Sequence, residues 1–385
     1  MVDQVTDKSI SPEILALSEA NNYLAVNLHK ELAKEGQNVF FSPFSISTAL
    51  AMLFCGSRSE TAAEMRQVLG YQAANIKDED LKTSFEYLLA AIEKSPDSYI
   101  LACANSVLSQ KDFSVKDEYK SLLVESFKAL LEEVDFARES GVAVKKVNGW
   151  VGEKTNNMIT NLLDSLDPST VMVLVNAVYF KGSWKEQFNE RETFLQYFYN
   201  NGDGENHKQV DMMHLKKEFN YAEKDSYKAL ELPYKGEEIS MLILLPNDRN
   251  GLQDLEKSLN PNFIQDLKSS MRNTKVEVAL PKFKMEYSKA LKETFQKLGM
   301  NRLFQRGAHF GGISDSNELL ISEVIHKAVL EVNEEGSEAA AATAVVMMLC
   351  SLQFDPEFIV DHPFLFVIYN SKNNMIWFMG RVDEL

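Results

Sequence analysis

Residues 334–350 read Glu-Glu-Gly-Ser-Glu-Ala-Ala-Ala-Ala-Thr-Ala-Val-Val-Met-Met-Leu-Cys, followed by Ser351. An acidic, glycine-containing turn opens the stretch. Four alanines, a threonine and another alanine follow, and the run is then apolar up to the cysteine. Alanine is the best helix former, so one reading is a buried helix. Against it, the residues become bulkier and β-branched toward the end, with no stop signal before Pro356. As a strand, alternate side chains form two rows. Ser337, Ala339, Ala341, Thr343 and Val345 make one row, all small and uncharged. Glu338, Ala340, Ala342, Ala344 and Val346 make the other, with a single charge. Such a strand could slip between two existing strands without steric or desolvation cost on its inner face. On the residues alone both readings stand.

Outward from this stretch the chain changes texture. Ile14–Leu32 carries Leu17, Ala20, Leu24, Val26, Leu28 and Leu32 at close to helical spacing. Ser42-Pro-Phe-Ser45 starts a second helix, Ile46 to Gly56, apolar on nearly every face and therefore predicted to be buried. Lys82–Lys94 and Asp117–Leu131 are amphipathic helix candidates. From about residue 170 the runs Val171–Val175, Ile239–Leu245, Lys275–Leu280 and Phe364–Tyr369 read as strands. Helices first and strands later, without strict alternation, indicates an α+β fold with large antiparallel sheets.

Composition removes several functions. Of 385 residues, 45% are apolar and 25% charged, the balance of a globular chain with a sizeable core. A net charge of −16 opposes binding to nucleic acid or anionic lipid. No apolar run is long enough to span a bilayer. Cys55, Cys103 and Cys350 are an odd number, with no CxxC pair, and no Asn-x-Ser/Thr site is present. Together with an N-terminus lacking a signal pattern, this leans toward a cytoplasmic protein. About 16 residues ahead of the first helix instead favour a secreted chain whose signal has been removed. The terminal Val382-Asp-Glu-Leu385 resembles a retention tail without its usual first residue, and an ordinary exposed end is the simpler reading. There is no GxSxG, HExxH, Walker loop or GxGxxG, so no catalytic residue, cofactor or metal is expected. Asn201-Gly-Asp-Gly204 reads as a hairpin turn rather than a calcium loop.

Residues 334–344 resemble the hinge of a serpin reactive-centre loop: an acidic pair, Gly, Ser/Thr, Glu, then alanines. Further motifs of that family follow its order along the chain. They are Asn38-Val-Phe-Phe-Ser-Pro-Phe-Ser-Ile-Ser47, Val175-Asn-Ala-Val-Tyr-Phe-Lys-Gly-Ser-Trp184, Leu280-Pro-Lys-Phe283, His326-Lys-Ala-Val329, Asp361-His-Pro-Phe-Leu-Phe366 and Phe378-Met-Gly-Arg381. The resemblance implies one serpin domain over residues 1–385, with eight or nine helices, three mostly antiparallel sheets and an exposed loop at about 334–356.

It also implies a serine protease inhibitor that acts as a suicide substrate and ends in a covalent 1:1 complex with its target. Counting 17 residues from Glu334 puts the reactive bond at Cys350-Ser351. Met347, Met348 and Leu349 precede it as an apolar bait suited to elastase-like or chymotrypsin-like proteases. The loop is similar to those of leukocyte-elastase-inhibitor-type serpins. Gly336, Ser337, Glu338, Ala339, Ala340, Ala341, Ala342, Thr343 and Ala344 match the insertion hinge. Trp184, Lys282 and Glu334 match the point where the loop enters, with Lys282 and Glu334 as an ion pair. Ser42, Ser45, Asn176 and His326 match a polar cluster where the sheet must part. The active form is expected to be a monomer that polymerises when destabilised. Around residues 77–94 only Lys77, Lys82 and Lys94 stand among acidic residues, so heparin is not expected as a partner. The alternatives are inhibition of papain-like cysteine proteases and a non-inhibitory serpin.

Overall fold

The computed structural model describes residues 10–93, 99–316, 318–335 and 355–385. Ser11 caps helix α1 (Pro12–Leu32) by accepting from the N–H of Ile14, and Pro12 sits in the first turn, where its missing N–H costs nothing. Eleven residues, not 16, therefore precede the first helix. After strand β1 (Val39–Phe41), Ser42 caps α2 (Pro43–Gly56) in the same way, through the N–H of Ser45. Every α2 side chain except that of Cys55 is buried, as its all-apolar surface predicts. Helices α3 (Ser59–Val68) and α4 (Asp78–Glu93) follow, then the 12-residue strand β2 (Tyr99–Gln110).

The helix expected over 117–131 is much shorter. Helix α5 covers Asp117–Ser121, one π turn spans Leu122–Ser126, and β3 (Leu130–Val134) begins after Lys128 turns left-handed at φ 53°. Tyr119 and Leu123 pack into the main core and Val134 into the second one, so the apolar spacing continues across a change of backbone.

Helix α6 (Phe136–Lys154) leads to β4 (Met172–Gly182). Strands β5 (Thr193–Tyr199) and β6 (His207–Glu223) form a hairpin whose turn places Asn201 and Gly202 at φ 55° and 71°. Strands β7 (Tyr227–Pro233) and β8 (Ile239–Pro246) precede α7 (Leu252–Ser258) and α8 (Phe263–Ser270). Strands β9 (Arg272–Pro281) and β10 (Phe283–Ala290) and helix α9 (Lys292–Lys297) come next. The chain closes with β11 (Glu323–Val332), β12 (Glu357–Ile359), β13 (Phe364–Asn370) and β14 (Ile376–Val382). Nine α-helices stand among the described residues, and none of the described helices is long and apolar enough to cross a membrane.

One sheet has the order β10-β11-β4-β2-β3, and a nine-stranded sheet contains the rest. The larger sheet is two lobes sharing β6. Residues 207–213 of β6 pair with β5, residues 220–223 pair with β7, and β9 runs along the other edge. With the five-stranded sheet, these lobes make the three sheets of the expected α+β fold. In the five-stranded sheet β11 and β4 are parallel neighbours, pairing Glu323–Leu330 with Val173–Phe180. Both faces of β4 are buried. Met172, Leu174, Val178 and Phe180 face the main core, while Val173, Val175, Ala177 and Tyr179 face a second core under α6 with Ala143, Val147 and Val151. Burying one such valine contributes about 1.5–3 kcal/mol.

The C-terminal tail is folded onto the body rather than exposed along its length. Val382 is fully buried, and Asn38 accepts from the N–H groups of Asp383 and Glu384. Nearby, Phe40 stacks on Phe378 with centroids 5.4 Å apart, and a Cβ at Gly380 would meet the Phe366 ring at 2.5 Å. Only hydrogen fits there. Gly380→Ala is expected to cost about 1–3 kcal/mol by overpacking; an unshifted urea midpoint would show that the Phe366 ring yields freely.

Candidate functional site

The parallel seam between β4 and β11 has a latch at its upper end. Trp184, just beyond β4, forms a bridge with Tyr234, stacks on that ring at 4.5 Å, and donates from Nε1 to the carbonyl of Asn333 at 2.9 Å. Gly182 permits the approach, since a Cβ there would meet the Tyr234 ring at 2.5 Å. Glu334 lies just past β11 and is 6% exposed. Its Oε2 is 2.9 Å from Lys282 Nζ, and its Oε1 accepts from the Thr193 hydroxyl at 2.9 Å. Burial alone would raise the Glu334 carboxyl. The bonds from Lys282, from the Glu334 backbone and from Thr193 outweigh it and hold the carboxyl below the ordinary glutamate value. The hydrogen bond to Glu334 raises Lys282 in turn. The expected trio therefore converges, and Thr193 and Asn333 join it without having been predicted.

Midway down the seam lies a buried polar row. Asn105 on β2, Asn176 on β4 and His326 on β11 stand opposite one another across three strands, over the first turn of α2. Asn176 Nδ2 donates to Asn105 Oδ1 and to Ser45 Oγ. Its Oδ1 faces His326 Nδ1 at 2.5 Å, while His326 Nε2 faces the N–H of Ser42 at 3.2 Å. An N–H can only donate, so Nε2 accepts and Nδ1 carries the proton toward Asn176. Burial pushes the His326 imidazole down to about 3, keeping it neutral. Ser42 Oγ donates to the carbonyl of Trp377 at 2.6 Å and accepts from the N–H of Ser45 at 3.1 Å. All four predicted residues of this cluster meet. Asn105 was missed; its only signal was an amide inside the run Ala102-Cys-Ala-Asn-Ser-Val107, whose other side chains carry no charge or amide.

The hinge residues Gly336–Ala344, the bait Met347, Met348 and Leu349, and the bond Cys350-Ser351 lie outside the described residues. On the far side of that segment, Asp355 Oδ2 is 3.2 Å from Lys216 Nζ, and the carbonyl of Pro356 accepts from the N–H of Glu277 at 3.0 Å. Both ends of the segment are thus anchored on β6, β9 and β10 or the turn between them. Cys55 and Cys103 are free, with thiols pushed up by burial to about 11 and about 12. Lys77 and Lys82 each lie 3.8 Å from a glutamate, Glu79 and Glu86. No group of three metal-ligating side chains occurs among the described residues.

Two outcomes follow from this geometry. Glu334→Lys leaves the Thr193 hydroxyl and Lys282 facing a second cation, at a cost of about 1–3 kcal/mol. Lower monomer yield and polymers on mild heating are expected in size-exclusion chromatography, and normal monomer behaviour would refute this. For His326, the unfolded imidazole titrates near 6.5 and the folded one near 3, so the unfolded chain binds the proton first. The neutral histidine's contribution is complete above pH 6.5 and is lost as pH falls toward 3, at up to ~1.4 kcal/mol per pH unit. His326→Gln should flatten that part of the urea-midpoint profile between pH 7 and 4; parallel profiles would mean that His326 does not titrate there.

Residues 19–385 match the family model described as "Serpin (serine protease inhibitor)". The chain is 42% identical over 376 residues to intracellular coagulation inhibitor 2 of Tachypleus tridentatus, covering 96% of this chain and 91% of that one. It is 42% identical to human serpin B8, covering 96% and 99%. Among solved structures it superposes on Serpin48 of Tenebrio molitor with a TM-score of 0.82 at 34% identity, covering 99% of this chain and 100% of that one. The ordered motifs, the three-sheet fold and this full-length similarity together make the chain a member of the serpin family.

Proposed function

We propose that this serpin inhibits elastase-like or chymotrypsin-like serine proteases as a suicide substrate cleaved between Cys350 and Ser351. The protease's serine oxygen attacks the carbonyl carbon of Cys350. As the Cys350–Ser351 bond breaks, the proton from that serine passes through the protease histidine to the departing amine of Ser351. The ester left on Cys350 is then trapped when the freed segment enters the β4–β11 seam.

The parallel pairing of β4 and β11 carries this reading. β11 ends at Val332 beside the upper end of the seam, so a segment folding back from residue 335 would run antiparallel to both neighbours. Two antiparallel contacts would replace one parallel contact, which is slightly weaker per residue. β4 and β11 have 11 and 10 residues, and the 14 residues from Gly336 to Leu349 suffice to match them. Alanine loses no side-chain entropy on burial, and the Ser337–Val345 row brings no charge into the core. The medium-sized apolar residues Met347, Met348, Leu349 and Cys350 suit an apolar primary pocket and not one built for lysine or arginine.

Incubation with pancreatic elastase, chymotrypsin and trypsin tests the reading. An SDS-stable 1:1 adduct is expected with the first two, with release of a peptide beginning at Ser351. Cleavage without adduct by every serine protease would overturn it. An adduct with papain alone would shift the target to cysteine proteases. A thermal midpoint unchanged by loop cleavage would point to a non-inhibitory role.

A further inference from the structure

Large exposed apolar side chains are scattered over this molecule except on one lobe. Of nine such residues among those described, Phe194, Leu195, Tyr197 and Ile359 belong to β5 and β12, the two outer strands of the β5–β6–β9–β12 lobe. Register sorts them by face. Phe194 pairs with Met212, His214 pairs with Ala279, and Ala279 pairs with Ile359. By strand alternation Phe194, His214 and Ile359 therefore share one face, and Leu195 and Tyr197 lie on the other. The Phe194 ring lies flat on His214, with centroids 4.2 Å apart and planes 6° from parallel. Phe194 is 50% exposed and Ile359 40%. Lys216, on the same face one row further on, holds Asp355. A face with two exposed apolar side chains, Phe194 and Ile359, and the Lys216–Glu277 ion pair thus sits beside the point where the chain returns from its reactive segment.

Chain length limits how far from this face the attacked bond can be. Ser351 is four residues before Asp355, so it lies no more than ~14 Å away along the chain. From β12 to β5 is three strand spacings, also about 14 Å. A compact protease of about 230 residues is roughly 45 Å across. A body of that size gripping the Cys350–Ser351 bond can reach across the whole lobe.

The geometry points to the Phe194–His214–Ile359 face as a second contact surface for the target protease. It fits an apolar patch on the rim of the protease's active-site cleft and sets the rate of encounter beyond what the loop residues do. Aromatic side chains are enriched at protein interfaces, and an exposed ring already held flat on His214 loses little freedom on being covered. This inference rests on the cleavage site proposed above. It distinguishes proteases with the same primary pocket by the apolarity of that rim.

The test compares second-order rates of adduct formation with elastase and chymotrypsin for the wild type, Phe194→Ser, Ile359→Ser, the double variant, and Phe194→Tyr, which keeps an aromatic ring. A fall of about tenfold is expected for the double variant with at least one protease, at unchanged stoichiometry and thermal midpoint, with the rate retained in Phe194→Tyr. Leu195→Ser, on the opposite face, is expected to leave the rate unchanged. Equal rates for wild type and double variant with both proteases would overturn the inference. So would a slower rate with raised stoichiometry, which would place the effect in loop insertion. Concentration-dependent dimers of the wild type, abolished in the double variant, would overturn it by giving this face to a second copy of this chain. Failure of the wild type to form any adduct would sink the inhibitory reading itself, a result separate from all of these.

Discussion

The hydrogen bond from His326 to Asn176 joins β11 and β4 at the centre of the five-stranded sheet and adds a buried side-chain tie to their parallel ladder. It joins two parallel strands at a buried point where the packed interior offers no solvent to replace a lost partner. Asn176 cannot move without also releasing Asn105 and Ser45, and His326 cannot move without releasing the N–H of Ser42. Ser42 and Ser45 are in turn fixed by the start of α2, whose cap is Ser42 itself. One helix cap thus sets the position of a five-residue polar cluster. Burial of His326 as the neutral tautomer keeps every hydrogen bond in that cluster directed from donor to acceptor.

The upper latch has a different character. Glu334 is buried, yet its partner Lys282 is 45% exposed, so water screens one end of the pair. The Trp184–Tyr234 stack supplies the apolar part, and the bond from Trp184 to Asn333 ties it to the segment leaving β11. A semi-exposed latch above a buried lock divides the work. The latch can be released from outside, while the lock opens only when something replaces its bonds. In the proposed reaction that replacement is the backbone of the entering strand, which meets the ladders of both neighbours.

Legibility in the sequence follows burial. Helix α2 and strands β4, β8 and β13 were readable because they are apolar on most or all faces, and such runs admit few alternatives; β9 was readable from its alternating Lys275-Val-Glu-Val stretch. The stretch 117–131 was not, because Lys128 adopts a left-handed turn with no glycine to signal it. The expected 16 residues before α1 became 11 because Ser11 and Pro12 start the helix ahead of its apolar stripe. At the site, Trp184, Lys282, Glu334, Ser42, Ser45, Asn176 and His326 were found through motif resemblance, and no spacing rule would have grouped them. Asn105 stayed hidden because it meets Asn176 through strand register across 71 positions, and a lone amide in a strand says nothing of its opposite neighbour. Thr193 was invisible for the same reason, being 141 positions from Glu334.

Why β4 and β11 should be parallel at all is a question of connectivity. β10 and β11 are antiparallel, as are β4 and β2, while the β4–β11 join at the centre and the β2–β3 join at the edge are parallel. A parallel join is a place where an added strand can be antiparallel to both neighbours, and of the two in this sheet the β4–β11 join is the one beside the end of β11. The chain that could supply it leaves from the adjacent end of β11 and is composed of residues whose burial costs least. In the proposed reaction the parallel ladder and the His326–Asn176 bond hold this join closed until the freed segment offers two antiparallel contacts in place of the one parallel contact.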